Sequence, residues 1–382
     1  MPNQSTGTEA VLDLPGLQAL VDALAATHTV IGPQVSDGAI VLGPLARVDQ
    51  LPVGMGDDQD AGSYRLRERT DRAVFGYAAS AVPAKRWVFP PREPMSRTHD
   101  DGTTVSVEPV LARPQRPVAL FGVRSCDLAA LAVHDRALLA RPVPDPWYAQ
   151  RRAGLFIVVA ACTTPARSCF CVSMGTGPAP GAGFDLSLTE LVEGEHRFLV
   201  TSGSPAGEQL LARLPTRAAD TVDRSAADAA LRQAAESMTR AMPTDGLAAL
   251  LLGQPEHPAW AEVAQRCLAC GNCTLACPTC FCTSIVETAE LGSPVSERAR
   301  VWDSCFTADF SHMHGGSVRT GISARYRQWM THKLGAWVEQ FGVSGCVGCG
   351  RCITWCPVGI DITEQARALA RPAGQEPRER KP

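Results

Sequence analysis

Two runs of cysteines with the same spacing lie towards the end of this sequence. The first run reads Cys267-x2-Cys270-x2-Cys273-x3-Cys277-Pro278, and the second reads Cys346-x2-Cys349-x2-Cys352-x3-Cys356-Pro357. Thiolates at this spacing hold [4Fe–4S] clusters, which accept and release single electrons. Two zinc ions are the alternative, but zinc sites usually take paired ligands from separated CxxC units. The two complete runs therefore predict two iron–sulfur clusters and electron-transfer chemistry.

The spacing of each run has a physical reason. A cubane cluster offers four iron corners, and closely spaced cysteines reach several of them only where the backbone curls tightly around the cube. Glycine permits such a curl, and it occurs at Gly271 in the first run and at Gly345, Gly348 and Gly350 in the second. Backbone amides in the curl then point at the cluster sulfurs, which offsets the negative charge of the cluster and tunes its potential.

The fourth cysteine of each run is expected to ligate the cluster of the other run, as in ferredoxins with two clusters. One cluster is therefore assigned to Cys267, Cys270, Cys273 and Cys356, and the other to Cys346, Cys349, Cys352 and Cys277. The gap between Cys277 and Cys346 is much longer than in a compact bacterial ferredoxin, and we predict that it is helical. It resembles the α-helical ferredoxin arrangement of larger electron-transfer complexes, in which the crossed ligation is kept.

Four further cysteines lie in the N-terminal part of the chain, at Cys126, Cys162, Cys169 and Cys171. They follow two candidate strands, so loops at the strand ends can bring their thiols together. Four converging thiols suit a third [4Fe–4S] cluster. The alternative is that they are structural cysteines of the core, where free cysteine is common. The sequence leaves both interpretations open.

The last three cysteines, Cys280, Cys282 and Cys305, have several possible roles. They can shelter the second cluster, pair as a redox dithiol, or act on sulfur. We favour a polarizable lining with weak S–H donors over a catalytic role, because nothing in the sequence marks a lowered thiol pKa.

Five basic residues fall in one region between the two cysteine runs. Such charges usually form a solvated helix face, but here they can also balance anionic clusters or contact a partner. The residues are Arg319, Arg325, Arg327, His332 and Lys333.

The pattern of elements predicts an α+β protein with an N-terminal mixed α/β domain followed by a mostly helical dicluster domain. Buried strands at residues 118–123 and 155–160 flank a helical pattern at residues 128–139, which indicates a βαβ unit. We place the mixed domain at residues 1–222 and the dicluster domain at residues 223–372. The segment 373–382, rich in Pro, Arg and Glu, is predicted to be a disordered tail.

Composition and charge narrow the class of protein. The chain has 382 residues and a formal net charge of −3, so no electrostatic feature points to nucleic acid. Neither a secretory signal nor an apolar run of membrane-spanning length is visible, so we expect the protein in the cytoplasm. Thiols stay reduced there, and the fifteen cysteines are therefore better explained by metal than by disulfides.

Four stretches together resemble the β subunit of cytoplasmic sulfhydrogenases, the NAD(P)-linked [NiFe] hydrogenases. The resemblance covers nearly the whole chain, and the A subunit of anaerobic sulfite reductase is similar over the same parts. The motifs lie at residues 121–128 (FGVRSCDL), 169–178 (CFCVSMGTGP), 277–282 (CPTCFC) and 345–352 (GCVGCGRC).

The resemblance implies an electron-transfer subunit that does no chemistry alone. It implies partners as well: a [NiFe] catalytic subunit, a small iron–sulfur subunit, and a flavin subunit that binds FAD and NAD(P). Electrons would then move between H2, NAD(P)H and polysulfide. A second candidate is the electron-transfer subunit of an anaerobic sulfite reductase, and a third, of another class, is a redox-sensing or scaffold protein.

Overall fold

A computed structural model describes residues 7–110 and 116–371 and shows an α+β protein. The predicted tail at residues 373–382 lies outside the described residues. The strands are β1 (Glu9–Leu12), β2 (Thr29–Ser36), β3 (Ala39–Pro44), β4 (Met55–Asp60), β5 (Ser63–Glu68), β6 (Arg92–Asp100), β7 (Val105–Pro109), β8 (Val118–Val123), β9 (Phe156–Ala160), β10 (Leu186–Leu191), β11 (Arg197–Ser202), β12 (Arg217–Ala218), β13 (Thr283–Ala289), β14 (Val295–Trp302), β15 (His312–Met313) and β16 (Gly316–Ser317).

The helices are short and lie on both sides of the cysteine runs. They are α1 (Leu14–Thr27), α2 (Ser125–Leu138), α3 (Pro146–Ala153), α4 (Pro205–Leu211), α5 (Thr221–Glu236), α6 (Leu247–Gly253), α7 (Ala259–Arg266), α8 (Asn272–Leu275), α9 (Ile322–Thr331), α10 (Trp337–Phe341), α11 (Arg351–Thr354) and α12 (Ile362–Leu369). A π-helical turn at His332–Ala336 connects α9 to α10, so the gap between the two cysteine runs is helical from Ile322 to Phe341, as predicted.

An eight-stranded sheet forms the centre of the N-terminal part, in the order β12-β1-β11-β10-β9-β8-β2-β3. The predicted βαβ unit is confirmed, because β8 and β9 pair in parallel and α2 connects them. Every residue of β9 is buried, as expected for a parallel strand that is covered on both faces. The carboxyl ends of β8 and β9 lie at the same edge of the sheet, so Cys126 and Cys162 leave it side by side.

A second sheet, in the order β13-β14-β6-β7, joins distant parts of the chain. Its strands β13 and β14 form a hairpin within the gap between the two cysteine runs, and β14 also pairs with β6 from the N-terminal part. The prediction that this gap is helical is therefore wrong for residues 283–302. β6 offers the hairpin a pairing partner, and a partner distant in sequence leaves no local pattern.

The cysteine runs pack on a core of aromatic and aliphatic side chains. Trp260, Phe306, Tyr326 and Trp329 belong to this core, and Phe170 from the N-terminal part completes it. In the described parts of the chain, no helix is both long enough and apolar enough to cross a bilayer.

Candidate metal centres

The first cysteine run begins where a helix stops. Helix α7 ends at Arg266, and Cys267 follows in an extended conformation. Ala269 and Gly271 then adopt positive φ angles of 51° and 78°, which turns the chain back on itself. In this curl the Ala269 amide lies 3.4 Å from the Cys267 sulfur and donates a hydrogen bond to it. The local geometry is the one expected of a chain that wraps a cluster.

The second run needs glycine because it packs directly against the N-terminal cysteines. Gly348 and Gly350 have positive φ angles of 63° and 76°. A Cβ atom at Gly348 would lie 2.7 Å from the backbone of Cys171, and one at Gly350 would lie 2.5 Å from the Ser168 carbonyl oxygen. The Phe170 amide donates to the Gly348 carbonyl at 2.9 Å. The two predicted cysteine groups are therefore in backbone contact.

Thiols of both runs share the first cavity, which has a volume of about 450 Å³. Burial raises the pKa of Cys273 well above its ordinary value, and the neighbouring thiols of Cys267, Cys356 and Cys270 raise it further. Cys356 thus lies with three cysteines of the other run. The cysteines that line the cavity are Cys267, Cys270, Cys273, Cys352 and Cys356.

A second group of thiols forms around Cys352. Burial raises the pKa of Cys352 well above its ordinary value, and the neighbouring thiols of Cys346, Cys349 and Cys277 raise it further. Cys277 belongs to the first run, so the exchange of the fourth cysteine appears on this side as well. The first cavity contains the first set of four together with Cys352, and the cysteines that act on Cys352 are the other three of the second set together with Cys273.

Lys333 lies beside this second group. Its side chain is buried, and its ammonium group donates to the Cys277 sulfur at 3.3 Å, the Thr279 hydroxyl at 2.9 Å and the Gly345 carbonyl at 3.2 Å. Burial alone would lower the pKa of Lys333, but the thiolates of Cys277 and Cys280 hold it well above its ordinary value. The group is therefore a fixed positive charge next to the thiolates.

A second buried cation, Arg351, lies between the two halves of the protein. It has no solvent exposure, forms an ion pair with Asp127 at 2.9 Å, and donates to the Ser80 carbonyl at 2.8 Å. Burial acts to lower the pKa of Arg351, but the charge of Asp127, followed by the thiolates of Cys349 and Cys126, holds it well above its ordinary value. Arg351 therefore adds a positive charge near thiols of the second run and of the N-terminal set.

The four N-terminal cysteines line one cavity of about 300 Å³ together with Cys349. The buried guanidinium of Arg124 also lines it and donates to the carbonyl oxygens of Ala78 at 2.8 Å and Phe75 at 2.7 Å. Burial raises the pKa of Cys171 to about 12, with further contributions from Cys162 and Cys349. The predicted convergence of these loops is confirmed; the cysteines involved are Cys126, Cys162, Cys169 and Cys171.

Buried polar atoms without protein partners test whether these cavities fit a cluster. In the described parts of the chain, the Tyr326 hydroxyl, the Trp329 indole N–H and one guanidinium nitrogen of Arg351 have no hydrogen-bond partner. Tyr326 and Trp329 both line the first cavity. Buried donors of this kind cost free energy unless an acceptor is present. The sulfides and thiolates of a [4Fe–4S] cluster are such acceptors, so the residues fit the group.

The remaining three cysteines line a third cavity of about 350 Å³. A hydrogen bond with Cys305 lowers the pKa of Cys282 to about 7, against the opposing effect of burial. Nothing in the sequence signals this effect. The second sheet explains the effect, since the β13–β14 hairpin brings the two residues together. All fifteen cysteines are free thiols.

Within residues 7–110 and 116–371, no three His, Cys, Asp or Glu side chains are arranged around a point that could hold a single metal ion.

Sequence reasoning did not identify Arg124, Arg351 and Tyr326 as part of these sites. Arg351 directly precedes Cys352 and Arg124 lies two positions before Cys126, and this proximity was the available signal. Lys333 was placed in a basic group with two interpretations, and the structure favours charge balance for this residue because it is buried against Cys277. No comparable signal marks Tyr326.

Comparisons with known proteins agree with this geometry. Residues 266–360 match the family model of a 4Fe-4S dicluster domain. Over 304 residues, the chain is 31% identical to sulfhydrogenase 2 subunit beta of Pyrococcus furiosus, an alignment that covers 78% of this chain and 86% of the relative. No solved structure matches the chain.

Proposed function

The chain belongs to the sulfhydrogenase beta-subunit family, and from that premise we propose that it relays single electrons within a hydrogenase complex. A bound [4Fe–4S] cluster supplies the one-electron chemistry, at a potential set by its protein surroundings. The observation that carries the proposal is the exchange of cysteines between the two runs. Cys356 lies with the thiols of the first run and Cys277 with those of the second.

The crossed arrangement supports a specific set of ligands for two clusters. The first cavity contains three cysteines of the first run with Cys356 and Cys352 of the second, and the group around Cys352 contains Cys346 and Cys349 with Cys277 and Cys273 of the first. Lys333 and Arg351 hold positive charge at the second group, whereas Tyr326 and Trp329 line the first cavity and each has a buried polar atom without a partner. The proposed ligands are Cys267, Cys270, Cys273 and Cys356 for the first cluster, and Cys346, Cys349, Cys352 and Cys277 for the second.

We propose a third [4Fe–4S] site at the N-terminal cysteines. Four thiols around one cavity provide the required number of ligands, and Arg124 provides a buried positive charge beside them. Cys349 borders this cavity and is also a proposed ligand of the second cluster. The third site therefore lies next to the second along a possible electron path. The proposed ligands are Cys126, Cys162, Cys169 and Cys171.

The proposed partners follow from the family resemblance. They are a [NiFe] catalytic subunit, a small iron–sulfur subunit and a subunit that binds FAD and NAD(P), assembled in the cytoplasm. Within such a complex the chain would connect the site that oxidises H2 to the sites that reduce NAD(P) or polysulfide. The chain's own residues position and insulate the clusters, and bond-making steps take place in other subunits.

Rapid reduction of the intact complex tests this function. The anaerobic complex is mixed with H2 or NADPH and frozen at intervals, and electron paramagnetic resonance (EPR) spectra follow the clusters of this chain. We expect reduction within the turnover time of the complex and reoxidation when polysulfide is added. Clusters that stay oxidised with both donors, or that pass electrons only to sulfite, contradict the proposal and favour a sulfite reductase subunit.

A further inference from the structure

The third thiol-lined cavity, which we term the Cys305 chamber, is not used by the relay described above. Its lining includes Cys280, Cys282, Cys305, His332 and Lys333. We propose that Cys280, Cys282 and Cys305, together with the imidazole of His332, hold a further [4Fe–4S] cluster. This site adds to the proposed relay and shares no ligand with it.

The second sheet builds the chamber. Cys282 comes directly before β13, and Cys305 follows shortly after β14. Thr283 and Trp302 are paired residues of the hairpin, and the Asp303 amide donates to the Cys282 carbonyl at 2.9 Å. Residues distant in sequence are thereby fixed side by side. The pairing therefore places Cys282 and Cys305 side by side, and Cys280, two residues before Cys282, lines the same space.

The chamber resembles the other two thiol-lined cavities in size. It has a volume of about 350 Å³, against about 450 Å³ for the first cavity and about 300 Å³ for the N-terminal cavity. All three cavities contain at least three thiols. The chamber is thus similar in size and in thiol content to the two cavities for which clusters are proposed above.

The charges around the chamber call for an anion. Lys85 is buried, its ammonium group donates to the Cys280 carbonyl at 2.8 Å, and it lies 4.1 Å from the centre of the Trp302 ring. Lys333 donates to the Cys277 sulfur. No ion pair within the described segments gives either lysine a carboxylate partner. Cys277 can neutralise one of these two charges, and a cluster with thiolate ligands would neutralise the other.

His332 is the side chain best placed to complete the ligand set. It lies in the π-helical turn, an irregularity that is frequent at functional sites, and its ring lines the chamber. Among the described residues no hydrogen bond engages its imidazole. The neighbouring Thr279 hydroxyl is already donating to the Gly345 carbonyl. Imidazole replaces thiolate as an iron ligand in some clusters and raises their potential.

Iron and acid-labile sulfide in the anaerobically purified full chain test this proposal. With the chamber loaded, the wild-type chain should hold about sixteen irons, and Cys305→Ala should lose about four of them. Cys126→Ala is the matched comparison, because it removes a ligand of the proposed third cluster and should lose a separate four. A Cys305→Ala chain with the iron content of the wild type overturns the proposal and indicates a bare dithiol at Cys282 and Cys305.

The same preparation separates this inference from the proposed function. If the wild-type chain holds about twelve irons and Cys305→Ala holds the same number, the cluster proposed for the Cys305 chamber is contradicted, whereas the proposed relay is not. Zinc without sulfide would contradict the relay as well.

A spectroscopic test covers the case in which Cys305→Ala does not fold. The wild-type chain is labelled with ¹⁵N-histidine, reduced, and examined by pulsed EPR. We expect a ¹⁵N coupling to one cluster that His332→Ala abolishes and that the control His314→Ala, at an exposed position, retains. Absence of the coupling in the wild type, or its persistence in His332→Ala, overturns the assignment of His332.

Discussion

The two cysteine runs have the same spacing but opposite surroundings. In the first run Cys270 is exposed, and the neighbouring Leu268 is 62% exposed. In the second run Cys346 and Cys349 are buried, and the run packs against the N-terminal part of the chain. The spacing of the cysteines therefore determines which cofactor each run can bind, and the surrounding fold determines how accessible that cofactor is.

The difference extends to charge. The second thiol group has the ammonium group of Lys333 and the guanidinium of Arg351 beside it, both buried. The first cavity is lined by Tyr326 and Trp329, whose buried polar atoms have no partner, and the cation that acts on its thiols is the half-buried Arg325, which opposes the rise that burial causes in the pKa of Cys267. Buried cations stabilise the extra electron of a reduced cluster, so we expect the second cluster to have the higher potential. The exposed edge of the first run is then the natural point of exchange with a partner.

The largest expected effect concerns which cluster each run holds. Cys356→Ala should abolish the first cluster, with loss of about four irons, because Cys356 lines the cavity of the first run. Cys277→Ala is the matched variant and should abolish the second. The EPR signal whose potential responds to Lys333→Met identifies the second cluster. If Cys356→Ala removes that signal and leaves the other, the ligation is not crossed.

The next effect tests the buried charges of the second site. Asp127→Asn should lower the free energy of unfolding by about 3 kcal/mol, because it leaves Arg351 buried without its carboxylate. Asp58→Asn is the control, since Asp58 also pairs with an arginine, Arg67, but is exposed, and it should change stability by less than about 1 kcal/mol. Anaerobic urea unfolding measures both. Equal losses of stability in the two variants would show that the buried Asp127–Arg351 pair contributes no more than an exposed ion pair.

Lys333→Met sharpens the comparison of potentials. Removing a charge that lies 3.3 Å from the Cys277 sulfur should lower the potential of the second cluster by roughly 100 mV, whereas Lys333→Arg should largely preserve it. An EPR-monitored redox titration measures the change. The first cluster should shift much less, because its ligands are farther from the ammonium group. Equal shifts of both clusters would contradict the proposed asymmetry.

The smallest effect concerns the neutral donors of the first site. Tyr326→Phe removes a buried hydroxyl that lines the first cavity, and it should lower the potential of the first cluster by about 40 mV, equivalent to about 1 kcal/mol. Tyr148→Phe is the control, since that hydroxyl donates to Asp135 in the N-terminal part. The same redox titration gives the answer, and a shift confined to the second cluster would count against the account.

Local patterns allowed much of this architecture to be predicted. The two runs, their curls and the βαβ unit each depend on residues close together in the sequence, and the structure contains them. The convergence of Cys126 and Cys162 followed from the rule that parallel strands end at one edge of a sheet. The pairing of β14 with β6 could not be predicted in the same way, because the two strands come from opposite halves of the chain.

The charged residues beside the cysteines could not be predicted for the same reason. The Arg351–Asp127 pair spans 224 positions of sequence, and the contact between Lys333 and Cys277 spans 56. Neither pair has a spacing that marks it, since each depends on how separate elements pack. The lowered pKa of Cys282 likewise depends on a hairpin that brings Cys305 beside it.

The central claim is that eight thiolates from two interleaved runs hold two [4Fe–4S] clusters. Two measurements on anaerobically purified protein test this. The first is the content of metal and acid-labile sulfide per chain, and the second is the EPR spectrum after reduction with dithionite. We expect about eight irons and eight sulfides per chain, or more, and the signals of reduced [4Fe–4S] clusters. Zinc in place of iron, no sulfide, and no signal after dithionite would contradict it.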